Sequence, residues 1–558
     1  MAEPRRETLE LMPEGTGEIM YALFALAFGI FLLGLWWKIR MYRRGRKEKL
    51  GGSHRDRLKS LVKNALFQAK TVKKKFAGPM HAFIFWGFAF LFLGTVIVLI
   101  DYDISQPLFH YQFLKGWFYL GFETVLDAAG LSLLLGLSMA LWRRVVWKPR
   151  SLTSSGQDVW MLGSLFFLGI TGYLIEALRL AIRDPEWGTY SFVGMLLKPV
   201  FDGMTFGEQT AAYQSLWWVH ALVTFTWIAS LPFTKFQHIV TSSSNIYTST
   251  QYGTERHKGQ LTTPFNLQDI ISGAASADSI RQGAKKLEDF SWRQLLSLDA
   301  CTQCGRCQDV CPAYAAGRPL SPMKVVLDLR DEMHKQWDST WQNTNQTLPE
   351  DTNLLVNKVI NEQTLWSCVT CRACMDACPV MIEHVPVIVD MRRALVAESR
   401  MDKHKVQLLQ NLANSGNAYG FPNSDRGAWA EGLQVPVVGA EGHTADQFDV
   451  VYWVGCSGSF DPRNQQVTKS IAKILTSANV KFAIMGEKER CTGDPARRLG
   501  EEGRFQEMVM ANVETLKAHG VKRMLTQCPH CFNTLKNEYK EFGLELEVEH
   551  HSQFIGKL

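Results

Sequence analysis

All twelve cysteines lie after residue 300, and they fall into three groups of four with no remainder. The first group, Cys301, Cys304, Cys307 and Cys311 followed by Pro312, spells C-x2-C-x2-C-x3-C-P, and the second repeats it at Cys368, Cys371, Cys374, Cys378 and Pro379. The third is sparser: Cys456, Cys491, Cys528 and Cys531, the last two in a CPHC tetrapeptide. No cysteine is left over for a disulfide, and thiols kept reduced are used for metal or cluster ligation. Zinc needs only paired C-x2-C units, which leaves both x3-C-P tails unexplained.

The repeated spacing is the bacterial ferredoxin signature, in which three close thiolates hold one cubane and the fourth cysteine crosses to the other. It assigns Cys301, Cys304, Cys307 and Cys378 to one 4Fe-4S cluster and Cys368, Cys371, Cys374 and Cys311 to a second. The motifs stand 56 residues apart, with a helical stretch (PMKVVLDLRDEM) and a polar insert between them. That arrangement resembles the helical ferredoxin modules of succinate dehydrogenase and heterodisulfide reductase. Around the third group, strand-like runs at 449–455, 480–485 and 521–527 alternate with helical runs at 465–478 and 499–519, which predicts an α/β layer. Its cysteines fall at strand ends, where such layers place their sites. A CPHC alone is also a thioredoxin-style dithiol. With Cys456 and Cys491 at neighbouring strand ends, a third 4Fe-4S cluster on all four thiolates is the expectation.

These centres need a scaffold, and the first 240 residues supply a different kind from the rest. Residues 19–37 and 80–100 contain no Asp, Glu, Lys or Arg, and each is long enough to cross a hydrocarbon core of ~30 Å. Three further runs, 116–142, 159–181 and 213–233, bring the expected number of transmembrane helices to five. Between Lys38 and Lys75 stand fifteen Lys or Arg against Glu48 and Asp56. The connection after the third run adds Arg143, Arg144, Lys148 and Arg150. The positive-inside rule therefore puts the N-terminus outside and everything after residue 240 in the cytoplasm of a prokaryotic inner membrane. Lying directly between two spans, the basic run reads as headgroup-facing rather than as a nucleic-acid patch.

Ionisable groups at membrane depth are costly and mark function. His81 opens the second span, His220 lies in the outer part of the fifth, and His238 follows its cytoplasmic end. Any one of them alone reads as an interfacial side chain reaching water. On a continuous helix the 18 residues from His220 to His238 make five turns, so both would share one face. His81 and His238, at matching depth, form the expected axial pair of a heme b. His220 is the candidate for a second heme, but ten residues beyond His81 stand only Phe90, Leu91 and Phe92. Glu123 and Asp127, an i, i+4 pair on the third span, are candidates for carrying protons to or from a quinone. Glu176 and Arg179 read as an internal ion pair.

WVHALVTFTWIASLPFTKFQHIV and GPMHAFIFWGFAFLFLG resemble the five-span cytochrome b gamma subunit of respiratory nitrate reductase, which uses two histidines on span two and two on span five. His81, His220 and His238 match three of those positions, and Leu91 occupies the fourth. VGCSGSFDPR, CTGDPARRLG and CPHCFNTLKNEY resemble the cysteine-rich CCG module of heterodisulfide reductases. That module usually carries a central cysteine pair, and here it reads Arg490-Cys491. The resemblance then implies an ordinary electron-relay cluster rather than disulfide chemistry. Taken whole, the chain resembles membrane-bound iron-sulfur oxidoreductases that pass electrons from electron-transfer flavoprotein to menaquinone. That family normally adds a second CCG module, so a separate chain carrying one, or a fragmentary sequence, is expected.

The expected architecture is a membrane α-helical cytochrome b bundle (1–240), a stalk (241–295), a two-cluster helical ferredoxin domain (296–400), a linker (401–447) and an α/β CCG-type module (448–558). At 558 residues, 46% apolar and net charge +6, the chain is neither a disulfide mini-scaffold nor a wholly soluble enzyme. There is no Walker loop, no dinucleotide fingerprint after a strand, and no Ser-His-Asp or zinc-protease signature. The function expected is quinone-linked electron transfer from a soluble cytoplasmic redox protein through 4Fe-4S clusters and heme b. The alternatives are a quinone-coupled thiol/disulfide oxidoreductase and a relay subunit whose active sites lie in other chains.

Overall fold

The computed structural model describes residues 3–48, 50, 53–149, 155–249, 272, 283–338 and 354–558. Among these, five helices are long and apolar enough to cross a membrane: α1 (Thr16–Tyr42), α2 (Ala77–Leu99), α3 (Gly116–Trp142), α4 (Gly156–Arg183) and α5 (Phe206–Ser230). Small residues let α2 and α3 approach closely, as in membrane helix pairs generally. A Cβ on Gly87 would sit 2.7 Å from the Ala129 carbonyl oxygen, and one on Gly136 would sit 2.8 Å from Ile84. Capping boxes at Ser155 and Thr205 start α4 and α5.

The fifth span does not run on to His238. After Ser230 the chain passes through a 3-10 turn at Leu231–Phe233, an extended Thr234 (φ −122°, ψ 177°) and a second turn at Lys235–Gln237 before α6 (His238–Thr248) begins. Pro232 lacks the N–H that would continue the helix, and the Thr234 hydroxyl caps the new turn by accepting from Phe236 N. The expected continuous face carrying His220 and His238 is therefore broken.

Residues 241–249 of the expected stalk are mostly helix, packed on the cluster domain; 250–271 and 273–282 lie outside the described residues. Thr241 and Ser242 donate to the carbonyls of Asp299 and Ala300, and Asn245 donates to that of Val380. Small hydroxyl and amide side chains thus dock α6 against α7 (Trp292–Asp299). That domain also contains α8 (Pro322–Asp338) and the buried α9 (His384–Ala397).

The C-terminal layer is a four-stranded parallel sheet of order β2-β1-β3-β4: β1 (Val450–Trp453), β2 (Phe482–Ile484), β3 (Arg523–Thr526) and β4 (Glu547–His550). Strand β4 joins the three runs expected from the sequence. Helices α11 (Pro462–Ser477) and α13 (Glu502–Ala518) cover it. The segment before β1, expected to be a linker, is folded onto this layer: α10 (Lys403–Ser415) buries Leu412, while Asn417, Arg426, Trp429 and Val438 are buried beyond it.

Candidate metal centres

The two ferredoxin motifs adopt the same backbone. Gln303 and Gly305 have φ of 54° and 76°, and their counterparts Thr370 and Arg372 have 53° and 67°. These left-handed residues turn the loop around its own sulfurs. Thr370 N lies 3.4 Å from Cys368 Sγ, and Ile382 N lies 3.4 Å from Cys378 Sγ. Hydrogen bonds to sulfur of this kind raise a cluster's potential.

The fold places the fourth cysteine of each motif with the other motif's first three. Cys307 is within electrostatic reach of Cys301, Cys378 and Cys304, and also of Cys374 in the opposite group. Cys374 faces Cys368, Cys371 and Cys311. Burial pushes the Cys301, Cys307, Cys368, Cys374 and Cys378 thiols up, Cys301 to about 11 and Cys378 to about 12, helped by nearby thiols. Four crowded thiols, two of them buried in each group, do not readily ionise together without a cation, whereas a coordinating metal deprotonates them outright. The donor sets therefore fit clusters.

In the C-terminal layer Cys456 follows β1, Cys491 follows β2, and Cys528 and Cys531 follow β3, so the carboxyl ends of three parallel strands bring all four together. Gly455 (φ 76°) makes the turn after β1, and a Cβ there would lie 3.4 Å from Cys531 Sγ. The Cys491 thiol bonded to Cys456 draws it down to about 6, and Cys531 does the same for Cys528. Arg426 reinforces the first: its Nη2 donates to Cys456 Sγ at 3.2 Å and its Nη1 to Glu489 at 2.7 Å. Glu489 also accepts from Val454 N and Gly455 N, and burial pushes it up to about 7. Sequence reasoning missed Arg426 and Glu489; a lone arginine in the stretch SDRGAWA is the available signal. His530, between two of the thiols, pairs with Asp494 at 3.0 Å.

The short helix α12 (Asp494–Leu499) connects the third group to the second. Arg498 binds the backbone and hydroxyl of Thr370. Arg392 donates to the carbonyls of Arg498 and Cys368 at 2.7 and 2.5 Å. On the far side, Arg306, next to Cys307, donates to the carbonyls of Lys70 and Thr71 at 2.9 Å, and Lys70 returns a bond to Asp376 O. The basic loop 38–75 thus packs on the cluster domain, on the same side of the bundle.

His81 and His238 lie within electrostatic reach of each other, and His81 also of Arg306. His81 Nδ1 is 2.9 Å from Gln68 Oε1, and His238 Nδ1 is 2.7 Å from Lys235 O. Carbonyl oxygens only accept, so both Nδ1 atoms carry the proton and both Nε2 lone pairs stay available, the state an axial heme ligand requires. Arg143 has a buried Nε with no hydrogen-bond partner among the described residues and lies near Arg306 and Cys304. His220 Nδ1 is 2.8 Å from Thr171 Oγ1, which donates to Phe167 O and so accepts from the imidazole. Leu91, at the depth of the missing fourth ligand, packs with Trp227 and Phe236 in an apolar cluster. Gln68, whose backbone is left-handed (φ 52°), gave no sequence signal as a histidine partner.

Toward the opposite end, Glu123 sits between Arg6 (2.7 Å) and Arg179 (2.9 Å) and accepts from Ser191 (2.7 Å). Arg179 also pairs with Glu176 at 3.4 Å. Asp127 accepts from Val193 N at 2.6 Å, while its Oδ1 is buried with no partner among the described residues.

Three family models match consecutive parts of the chain: nitrate reductase gamma subunit at 82–258, 4Fe-4S dicluster domain at 297–382, and cysteine-rich (CCG) domain at 450–536. The chain is 32% identical to the EtfAB:quinone oxidoreductase of Syntrophomonas wolfei, over 97% of this chain and 77% of that protein. It is 30% identical to the probable iron-sulfur-binding oxidoreductase FadF of Bacillus subtilis, over 96% and 78%. It is also 30% identical to one component of the dihydromethanophenazine:CoB–CoM heterodisulfide reductase of Methanosarcina barkeri, over 48% of this chain and 64% of that polypeptide. No solved structure matches. With its membrane-capable cytochrome b-like helices, dicluster domain and cysteine-rich layer in one polypeptide, the chain belongs to the family of membrane iron-sulfur oxidoreductases that includes the EtfAB:quinone oxidoreductase.

Proposed function

We propose that this oxidoreductase takes electrons from reduced electron-transfer flavoprotein on the cytoplasmic side and delivers them to menaquinone. The twelve cysteines serve as the ligands of three 4Fe-4S clusters, and His81 and His238 as those of one heme b; His220 remains the position for a second. These groups, when bound, relay single electrons from donor to quinone.

The chain's own residues hold that relay in order. Arg498 and Arg392 fix the third cysteine group against the second. The crossed fourth cysteines interlock the second group with the first. Arg306 ties the first group to the loop carrying Gln68, which orients His81. This unbroken adjacency from Cys456 to His81 is the observation that carries the reading. The donor and acceptor are those named for the Syntrophomonas relative, with the quinone taken as menaquinone. Because the basic loop lies against the cluster domain, the positive-inside rule favours a cytoplasmic position for that domain. The N-terminal segment, where Arg6 N bonds Leu114 O and Gln214 bonds Leu11 O, then lies outside.

The test is anaerobic mixing of the purified membrane protein with reduced electron-transfer flavoprotein and a menaquinone analogue. Flavoprotein oxidation coupled to heme reduction and quinol formation is expected. Heme that stays oxidised removes this donor, and reoxidation of reduced heme by a disulfide would promote thiol chemistry instead.

A further inference from the structure

A cavity of about 850 Å³ opens where the bundle meets the cluster domain, within the range of small-molecule sites. Its wall at membrane depth is Ile30 and Leu33 of α1 with Phe233 from the break after α5. Leu33 is 60% and Phe233 56% exposed, so this mouth faces lipid. The opposite wall is polar and touches Cys301.

That polar wall is an assembled network. Lys38 Nζ lies 3.1 Å from Asp299 Oδ2 and 3.3 Å from His334 Nε2. His334 lies 2.7 Å from Asp299 Oδ1, and Tyr42 donates to Asp299 Oδ2 at 2.7 Å. Asp299 only accepts, so His334 Nε2 carries the proton toward it, and the Lys38 ammonium, with three donors, keeps donors beyond its bond to Asp299. Gln237 gives its Nε2 to Asp299 at 3.3 Å, while its Oε1 is buried with no partner among the described residues. The wall thus offers a cationic donor and an unmet acceptor in the same cavity as a cysteine assigned to the first cluster.

We infer that this cavity is the quinone site, with one ring oxygen at Lys38, a reduced hydroxyl on Gln237 Oε1, and the isoprenoid tail leaving between Leu33 and Phe233 into lipid. The assignment rests on the quinone-reductase function proposed for the chain. A quinone carbonyl accepts hydrogen bonds and a quinol hydroxyl donates one, so a site serving both needs a donor and an acceptor together. A hydrophobic tail needs a mouth open to lipid, which this cavity has. In the step, the quinone gains two electrons and two protons to become quinol. The electrons come from the reduced flavoprotein, oxidised in turn, by way of the cluster and heme relay proposed for the chain. The protons come from water through the Lys38–His334 wall, whose outer edge carries the exposed Asp331.

The test is photolabelling of the full chain in lipid nanodiscs with an azidoquinone bearing a short isoprenoid tail, followed by peptide mapping and by quinone turnover. Label on peptides containing Leu33 and His334, competed by unlabelled quinone, is expected. Leu33→Trp, which fills the mouth, and His334→Gln should each lower that label and kcat/KM for quinone by about tenfold, with heme and iron content unchanged. Label on the peptide carrying Glu123 and Asp127, or an unaltered yield in both variants, overturns the site. Label here in a protein that no flavoprotein reduces upholds the site and defeats the donor assignment alone. Absence of any competed label defeats the site even if the flavoprotein reduces the heme.

Discussion

Arg426 donates a hydrogen bond from Nη2 to the sulfur of Cys456 at 3.2 Å while its Nη1 is held by the buried Glu489. A guanidinium on a cluster thiolate stabilises added negative charge, which is the charge a cluster acquires on reduction. Arg426→Gln should therefore lower the potential of the third centre by roughly 60 mV, the one-electron equivalent of a tenfold change. Arg426→Lys should restore part of it. A redox titration followed by electron paramagnetic resonance reads the shift, and an unchanged potential would show that the arginine only packs.

His81 and His238 should be interdependent. Removing either imidazole with alanine abolishes the same heme, which a pyridine hemochrome assay counts per chain. Gln68→Leu removes only the acceptor on His81 Nδ1 and should weaken heme retention by about 10- to 100-fold, the usual cost of losing such a partner. Full heme content in the His238 variant would break the pairing.

The crossed cysteines make a sharper distinction than their spacing alone. Cys378 faces the Cys301 group although it follows Cys374 by four residues. Cys378→Ala should therefore erase the signal of the centre held by Cys301, Cys304 and Cys307 and spare the one held by Cys368, Cys371 and Cys374. Loss of the latter instead would mean that each motif closes on itself.

Glu123 lies between two arginines, and breaking one partner of a buried pair costs about 3–5 kcal/mol. Glu123→Gln should lower the apparent melting temperature of the detergent-solubilised protein, and Arg179→Met combined with it should recover part of the loss. A change confined to quinone turnover, with melting untouched, would return this carboxylate to proton transfer.

What the sequence discloses here is local. Cysteine spacing reads directly because each motif supplies three thiolates of one group within seven residues, and β1, β2 and β3 read because their apolar runs end close to the cysteines that follow them. The break at Pro232 is written in LPFTKF, yet the apolar run masks it, and helical periodicity extends across it to His238. Lys38 and Asp299 stand 261 residues apart, and Arg426 and Glu489 stand 63 apart. No periodicity or spacing pairs such residues, since only the packing of separate elements brings them together. For the same reason residues 401–447 read as a linker: Asn417, Arg426, Trp429 and Val438 are buried only by the layer this segment wraps.

The proposed relay puts the thiolates of the cysteine-rich layer ahead of the histidines in the electron path. Stopped-flow mixing of reduced electron-transfer flavoprotein with wild-type protein and with Cys491→Ala, both checked to be fully reducible by dithionite at the heme, tests that order most directly. Rapid appearance of the heme α band in the wild type and its loss in Cys491→Ala is the predicted result. Equal rates of heme reduction by the flavoprotein in both proteins would contradict it.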